Sequence, residues 1–187
     1  MQAPVKLLVP LATVAYPLVV YLGFGRWNPV WIALALAALL LLRAWSGRDV
    51  VWLAAGCGAL VLGAFTSLGG GWLPLKLYPV LLSAVLLAVF GFSLWRPPTI
   101  VERIARITEP GLPPEGVAYT RKVTLAWCGF FICNGAISLA TTLWGSEQAW
   151  LLYNGLLSYV LMGTFFGGEW LLRQRLRARM GAAGSHG

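Results

Sequence analysis

The sequence predicts an all-α protein, a polytopic integral membrane bundle of six transmembrane helices with one short interfacial helix. Three observations carry this expectation. Hydrophobic residues make up 59% of the 187 positions and charged residues 11%, against roughly 45–50% and about 25% in soluble domains. Single apolar blocks exceed about 18 residues without a charge, the length at which a helix crosses a bilayer. The basic residues crowd into alternate connections. Six spans of ~20 residues occupy about 120 positions, which leaves no room for a separate soluble domain. A soluble globular domain, a disordered chain and a disulfide scaffold are thereby excluded.

The elements follow in order. Residues 7–24 form the first expected span, with Pro10 and Pro17 inside it. Neighbouring helices can satisfy the carbonyls that these prolines free. A signal peptide is the alternative, with Lys6 alone as its basic region and no convincing cleavage site. The second span covers 29–45. Asn28 suits its N-cap, and Pro29 suits the first helical position, where a missing N–H costs nothing. A tight polar turn, Ser46 to Asp49, leads to a third span at 50–68, which the glycines 69–71 end. The fourth span is expected at 75–95, with Lys76 at its start.

Residues 96–122 read as the one substantial loop. Within it Thr99-Ile100-Val101-Glu102 has the form of a capping box. Ile100, Ile104 and Ile107 share a face, and Arg103 and Arg106 point elsewhere. The segment 99–109 is thus an amphipathic helix too short to span and suited to the membrane surface. Prolines 110, 113 and 114 stop it. Spans five and six, at 123–144 and 149–172, are joined by the short turn Gly145 to Gln148 and form an antiparallel hairpin. Residues 1–180 form one membrane domain, and 181–187 are expected to be a disordered tail.

Orientation follows from the basic residues. With the N-terminus inside, 12 of the 14 Lys and Arg fall on the cytoplasmic side, leaving only Arg26 and Lys76 outside. All ten tryptophans lie within about five residues of a span end, where amphipathic rings favour the headgroup layer. The excess of positive charge, +8, is therefore read as cytoplasmic-side anchoring to anionic lipid headgroups and not as a nucleic-acid footprint.

No catalytic, metal or cofactor signature is present. The cysteines, Cys57, Cys128 and Cys133, lie in apolar stretches, and the one histidine, His186, is in the tail. Intramembrane polar groups are the default place to look for function. Asn134 and Asn154 sit inside spans five and six, each reading either as an interhelical hydrogen bond or as a contact to a substrate or headgroup. Asn134 is expected to bond across to span six. Glu169 precedes Arg173 by four residues, the order that favours a helix ion pair. A proton-carrying role for Glu169 would need a deeper partner. Lys76 reads as a snorkelling anchor or as a binder of an anionic group. The small residues Ala55, Ala59, Gly63 and Ser67, and the pair Gly163 and Gly167, mark ridges for close helix packing within the chain or against a second copy.

An ordered set of features runs from Lys76 to Trp170. Lys76 with Pro79 opens a span. Then come Arg96-Pro97-Pro98, the Ile100 to Ile107 segment with Arg103, Pro113, and Trp127, Phe130-Phe131 and Asn134-Gly135. This half of the chain resembles the intracellular septation protein A family of small bacterial inner-membrane proteins. It resembles more closely an uncharacterised membrane-protein family encoded beside aryl polyene pigment-lipid genes. Where the septation family has Lys-Pro after span four, this chain has Arg-Pro-Pro. The resemblance implies an inner-membrane location and a role in envelope or surface-lipid biogenesis. A condensing-enzyme role is not implied, because that chemistry needs an activated cysteine with histidines beside it. The expectation is a non-enzymatic accessory or scaffold, with a small transporter or flippase of a lipid-like product as the alternative and an intramembrane enzyme behind both. Its partners are membrane lipids, envelope-biogenesis membrane proteins or a second copy of itself. Arg96, Glu102, Arg103 and Arg106 are the residues expected to make interfacial or partner contacts.

Overall fold

The computed structural model describes residues 19–23, 27–47, 50–70 and 72–184. Among them every regular element is a helix. Helix α1 is Pro29–Gly47. It opens as the sequence expects, with the Val30 N–H donating to Asn28 Oδ1 at 3.0 Å. Helix α2, Val50–Phe65, runs into a π turn at Thr66–Gly70. Gly69 there has φ +99°, a left-handed conformation that costs glycine little because it lacks a Cβ. Helices α3, Leu73–Lys76, and α4, Tyr78–Trp95, follow, then α5, Ile100–Thr108, and α6, Pro114–Leu143. Helix α7, Glu147–Leu152, a π turn at Tyr153–Leu157, and α8, Ser158–Gly184, complete the chain.

Among the described residues three helices are long and apolar enough to cross a membrane: Tyr78–Trp95, Pro114–Leu143 and Glu147–Gln174. The protein is therefore all-helical and compatible with a membrane location. The expected span at 7–24 lies almost wholly outside the described residues, as do Arg48 and Asp49 of the expected turn.

Several boundaries differ from the sequence expectation. The fourth span is broken at Leu77, because Pro79 lacks an N–H and its ring crowds the carbonyl four residues back. The fifth helix starts nine residues earlier than the expected span, at Pro114. Proline suits the first turn of a helix and Glu115 meets its positive dipole end, so the segment read as loop is helical. At 30 residues α6 is ~45 Å long, well beyond a hydrocarbon core of about 30 Å. Helix α8 continues to Gly184, past position 180, where the disordered tail was expected.

Packing has two zones. In the first, Ala33, Leu36, Ala37 and Leu40 of α1 meet Ala59 of α2, and Leu75, Tyr78 and Trp150 close the cluster. Small residues set the distances. A Cβ on Gly63 would lie 3.1 Å from Ala33 Cβ, and a Cβ on Gly58 would require the Leu81 side chain to move. Ala59 and Gly63 of the expected ridge thus pack within the chain, and Ser67 is exposed. The side chain of Ala55 is outside the described residues. The second pair behaves differently, because Cβ atoms on Gly163 and Gly167 would meet nothing within 4 Å.

The second zone is the α4–α6 seam. The face that α6 buries carries Thr120, Thr124, Cys128, Phe131, Asn134, Ser138 and Thr142. Its outward face exposes Leu125, Ile132, Ile137 and Leu143. Polar inside and apolar outside is the arrangement a lipid solvent selects, since unpaired polar groups there need a protein partner.

Candidate functional site

The seam places a polar node about two thirds of the way along α6. Asn134 is buried. Its Nδ2 donates to Ser83 Oγ at 3.1 Å, and its Oδ1 accepts from the Tyr153 hydroxyl at 3.1 Å. One amide therefore ties α4, α6 and the π turn after α7. The expected bond to span six is present, and a second bond to span four accompanies it. Gly135 makes this approach feasible, since a Cβ there would already be 3.2 Å from Ser83 Cβ.

Asn154 lies beside this node, at the π turn. Its Nδ2 donates to Thr141 Oγ1 at 3.3 Å and to the Trp150 carbonyl at 3.0 Å. Among the described residues its buried Oδ1 has no hydrogen-bond partner, nor does Ser138 Oγ. The π register shifts the backbone bonds by one residue. The Ser158 N–H reaches back to Tyr153 O, and the Ser158 hydroxyl donates to the Asn154 carbonyl at 3.3 Å. A cavity of about 50 Å³ adjoins Asn134, Asn154, Ser83 and Ser158. A larger groove of about 320 Å³ opens between α6 and α8, with Asn134 and Tyr153 among its lining and Ile137, Leu161 and Phe165 beside them.

Lys76 is tied to the start of α7 by both its side chain and its backbone. Its Nζ pairs with Glu147 at 3.3 Å. The break after it exposes its carbonyl, which accepts from Trp150 Nε1 at 3.1 Å and from Thr142 Oγ1 at 3.2 Å. Trp150 is accordingly buried, whereas Trp31, Trp95 and Trp144 are exposed. Glu169 also departs from expectation. Among the described residues it forms no ion pair with Arg173, and its carboxylate lies 3.5 Å from the Tyr119 hydroxyl, the outer limit of a hydrogen bond.

At the other end of α4 and α6, helix α5 is held by its own charges. Thr99 Oγ1 accepts from the Glu102 N–H at 3.3 Å, the expected cap. The reciprocal half of the capping box is replaced, because the buried Glu102 carboxylate takes Arg106 at 2.8 Å. Arg106 Nη1 also donates to Pro110 O, and Arg103 Nε to Pro98 O. Arg121 Nη1 caps the end of α4 at Leu94 O. Arg96 stacks over the Trp95 ring at 5.8 Å. The arginines expected to reach for partners are thus largely engaged with loop carbonyls. Ile104 and Ile107 face outward and are exposed, as a surface helix requires.

Ser83, Tyr153, Trp150, Thr142, Glu147 and Tyr119 were not singled out by the sequence. Only Tyr153 carried a signal, its place next to Asn154. Among the described residues no three His, Cys, Asp or Glu converge as a metal site would need, and Cys128 is a buried free thiol in the α4–α6 seam. The arrangement can tie helices together and can accept a donor at Asn154 Oδ1. Compared with protein-family models, curated proteins and solved structures, the chain finds no match in any of the three.

Proposed function

We propose that this chain is a six-span inner-membrane protein with both termini cytoplasmic, acting as a non-enzymatic accessory or scaffold in bacterial envelope or surface-lipid biogenesis. The biological setting rests on the resemblance to the aryl polyene-associated family and, more distantly, to the septation family. The orientation rests on the basic-residue asymmetry. The observation that carries the accessory role is the commitment of Asn134. Both ends of its amide are satisfied by other helices, so this buried amide acts as a tie. Lys76, Glu102, Arg103 and Arg106 are similarly engaged.

A second reading, a small transporter or flippase, is favoured by the α6–α8 groove, which brings Asn134 and Tyr153 to the lipid side. Mild-detergent pull-down of the full chain, with mass spectrometry, tests the first reading. Recovery of envelope-lipid assembly proteins is the expected result. The substitution Asn134→Leu separates the two readings. Normal membrane abundance with lost surface-lipid output would move the assignment to transport.

A further inference from the structure

We propose that the small cavity where α4, α6 and the π turn after α7 meet is a site for bound water, held by the side-chain carbonyl of Asn154. The site goes beyond the accessory role and does not depend on it. Asn154 is 2% exposed, and two bonds fix how its amide points. Its Nδ2 donates to Thr141 Oγ1 and to the Trp150 carbonyl. A carbonyl only accepts, so the reversed amide would set two acceptors against each other. Oδ1 therefore lies on the other side of the amide. Among the described residues it has no hydrogen-bond partner.

The other polar groups of the cavity call for the same kind of ligand. The Ser158 hydroxyl donates to the Asn154 backbone carbonyl, so its proton is not offered to Oδ1. The Ser83 hydroxyl donates to Pro79 O and accepts from Asn134 Nδ2. A hydroxyl oxygen has two lone pairs and one proton. Both serines thus keep room to accept and have no proton left to give. What fits is a ligand that donates, and donates more than once. Size and charge then select water. The cavity holds about 50 Å³, space for one to about three waters, and pockets for larger ligands begin at roughly 300 Å³. None of the residues lining it is charged, so a cation there would sit among neutral groups alone, a costly arrangement. A purely apolar cavity stays dry, whereas one offering two to four polar partners is hydrated. Donating to Asn154 Oδ1 and to Ser83 Oγ, the water bridges the π turn to α4, beside the direct tie through Asn134.

The test is X-ray radiolytic footprinting of the full chain in lipid nanodiscs, read by mass spectrometry. X-rays split a bound water where it sits, and the hydroxyl radical oxidises the side chains beside it. Tyr159 and Met162 line the cavity, whereas Tyr153 lines the apolar α6–α8 groove. The expected result is oxidation of Tyr159 several-fold faster than that of Tyr153, with Met162 oxidised alongside it. Asn154→Leu removes the acceptor and should bring the Tyr159 rate down to that of Tyr153. Leu82→Phe should do the same by placing a ring in the cavity, and it leaves every hydrogen bond named above in place. Melting curves of each variant in detergent report folding separately. Equal rates at Tyr159 and Tyr153 in the wild type overturn the proposal whether or not a variant folds. An unchanged Tyr159 rate in the variants that fold also overturns it, because the radicals then come from outside the cavity. Loss of the Tyr159 signal when sodium replaces N-methylglucamine in the buffer would reassign the site to a cation. A pull-down that returns no envelope proteins defeats the accessory role without altering these rates, and a dry cavity leaves that role standing.

Discussion

Asn134 joins three segments through a single side chain, and its substitution has a bounded cost. Interhelical hydrogen bonds in membranes average about 0.6 kcal/mol and reach ~1.7. Asn134→Leu removes two of them, so a detergent melting curve should shift down by a few degrees while the protein still inserts. Gly145→Ala should be worse despite its smaller chemical change. A Cβ at that position would lie 2.6 Å from the Thr141 carbonyl oxygen, backbone that cannot step aside without reopening the hairpin turn. Reduced membrane abundance of that variant is the expected readout. Asn134 was legible in the sequence because an amide inside an apolar run needs a partner. Ser83 was not, since a helical serine commonly bonds its own preceding turn, as this one does to Pro79 O, and its second role depends on which helix arrives beside it.

Helix α5 shows what an element reveals and what it conceals. Its cap and its isoleucine face follow from local sequence, and both are present. The arginines read as lipid anchors, yet Arg103 and Arg106 close the ends of the segment on Pro98 O and Pro110 O. Arg103→Glu with Arg106→Glu should therefore release the 96–113 segment through lost internal bonds. Faster cleavage there by added protease, in detergent as well as in membranes, is the expected outcome. A change seen only in anionic vesicles would return the arginines to a lipid role. Thr99→Ala should cost about 1 kcal/mol by removing the cap. The misplaced starts of α6 and the tail share one cause. The expected boundaries followed the charges at Lys122 and Arg173, whereas a helix continues wherever its backbone bonds can.

For the whole molecule the firm result is an all-helical chain with three described helices able to cross a bilayer. The six-span arrangement adds α1, α2 and residues 7–24. It predicts that reporter fusions after Trp72 and after Ser146 both lie in the periplasm, and a cytoplasmic signal at either would defeat it. The polar seam could not be read ahead of the fold. Thr120, Thr124, Ser138 and Thr142 are scattered singly along α6, and only the helical repeat and the partner α4 gather them on one buried face.

The fastening at Lys76 joins two kinds of bond that answer to different variables. Its ammonium meets Glu147 across a partly exposed gap, and salt shortens the reach of such a charge from about 10 Å at 0.1 M to roughly 3 Å at 1 M. Its carbonyl, held by Trp150 and Thr142, carries no net charge and belongs to the backbone. Ionic strength can therefore loosen the start of α7 without detaching Trp150. Replacement of the lysine itself leaves the carbonyl acceptor in place, so drift at position 76 is tolerable where drift at Trp150 is not.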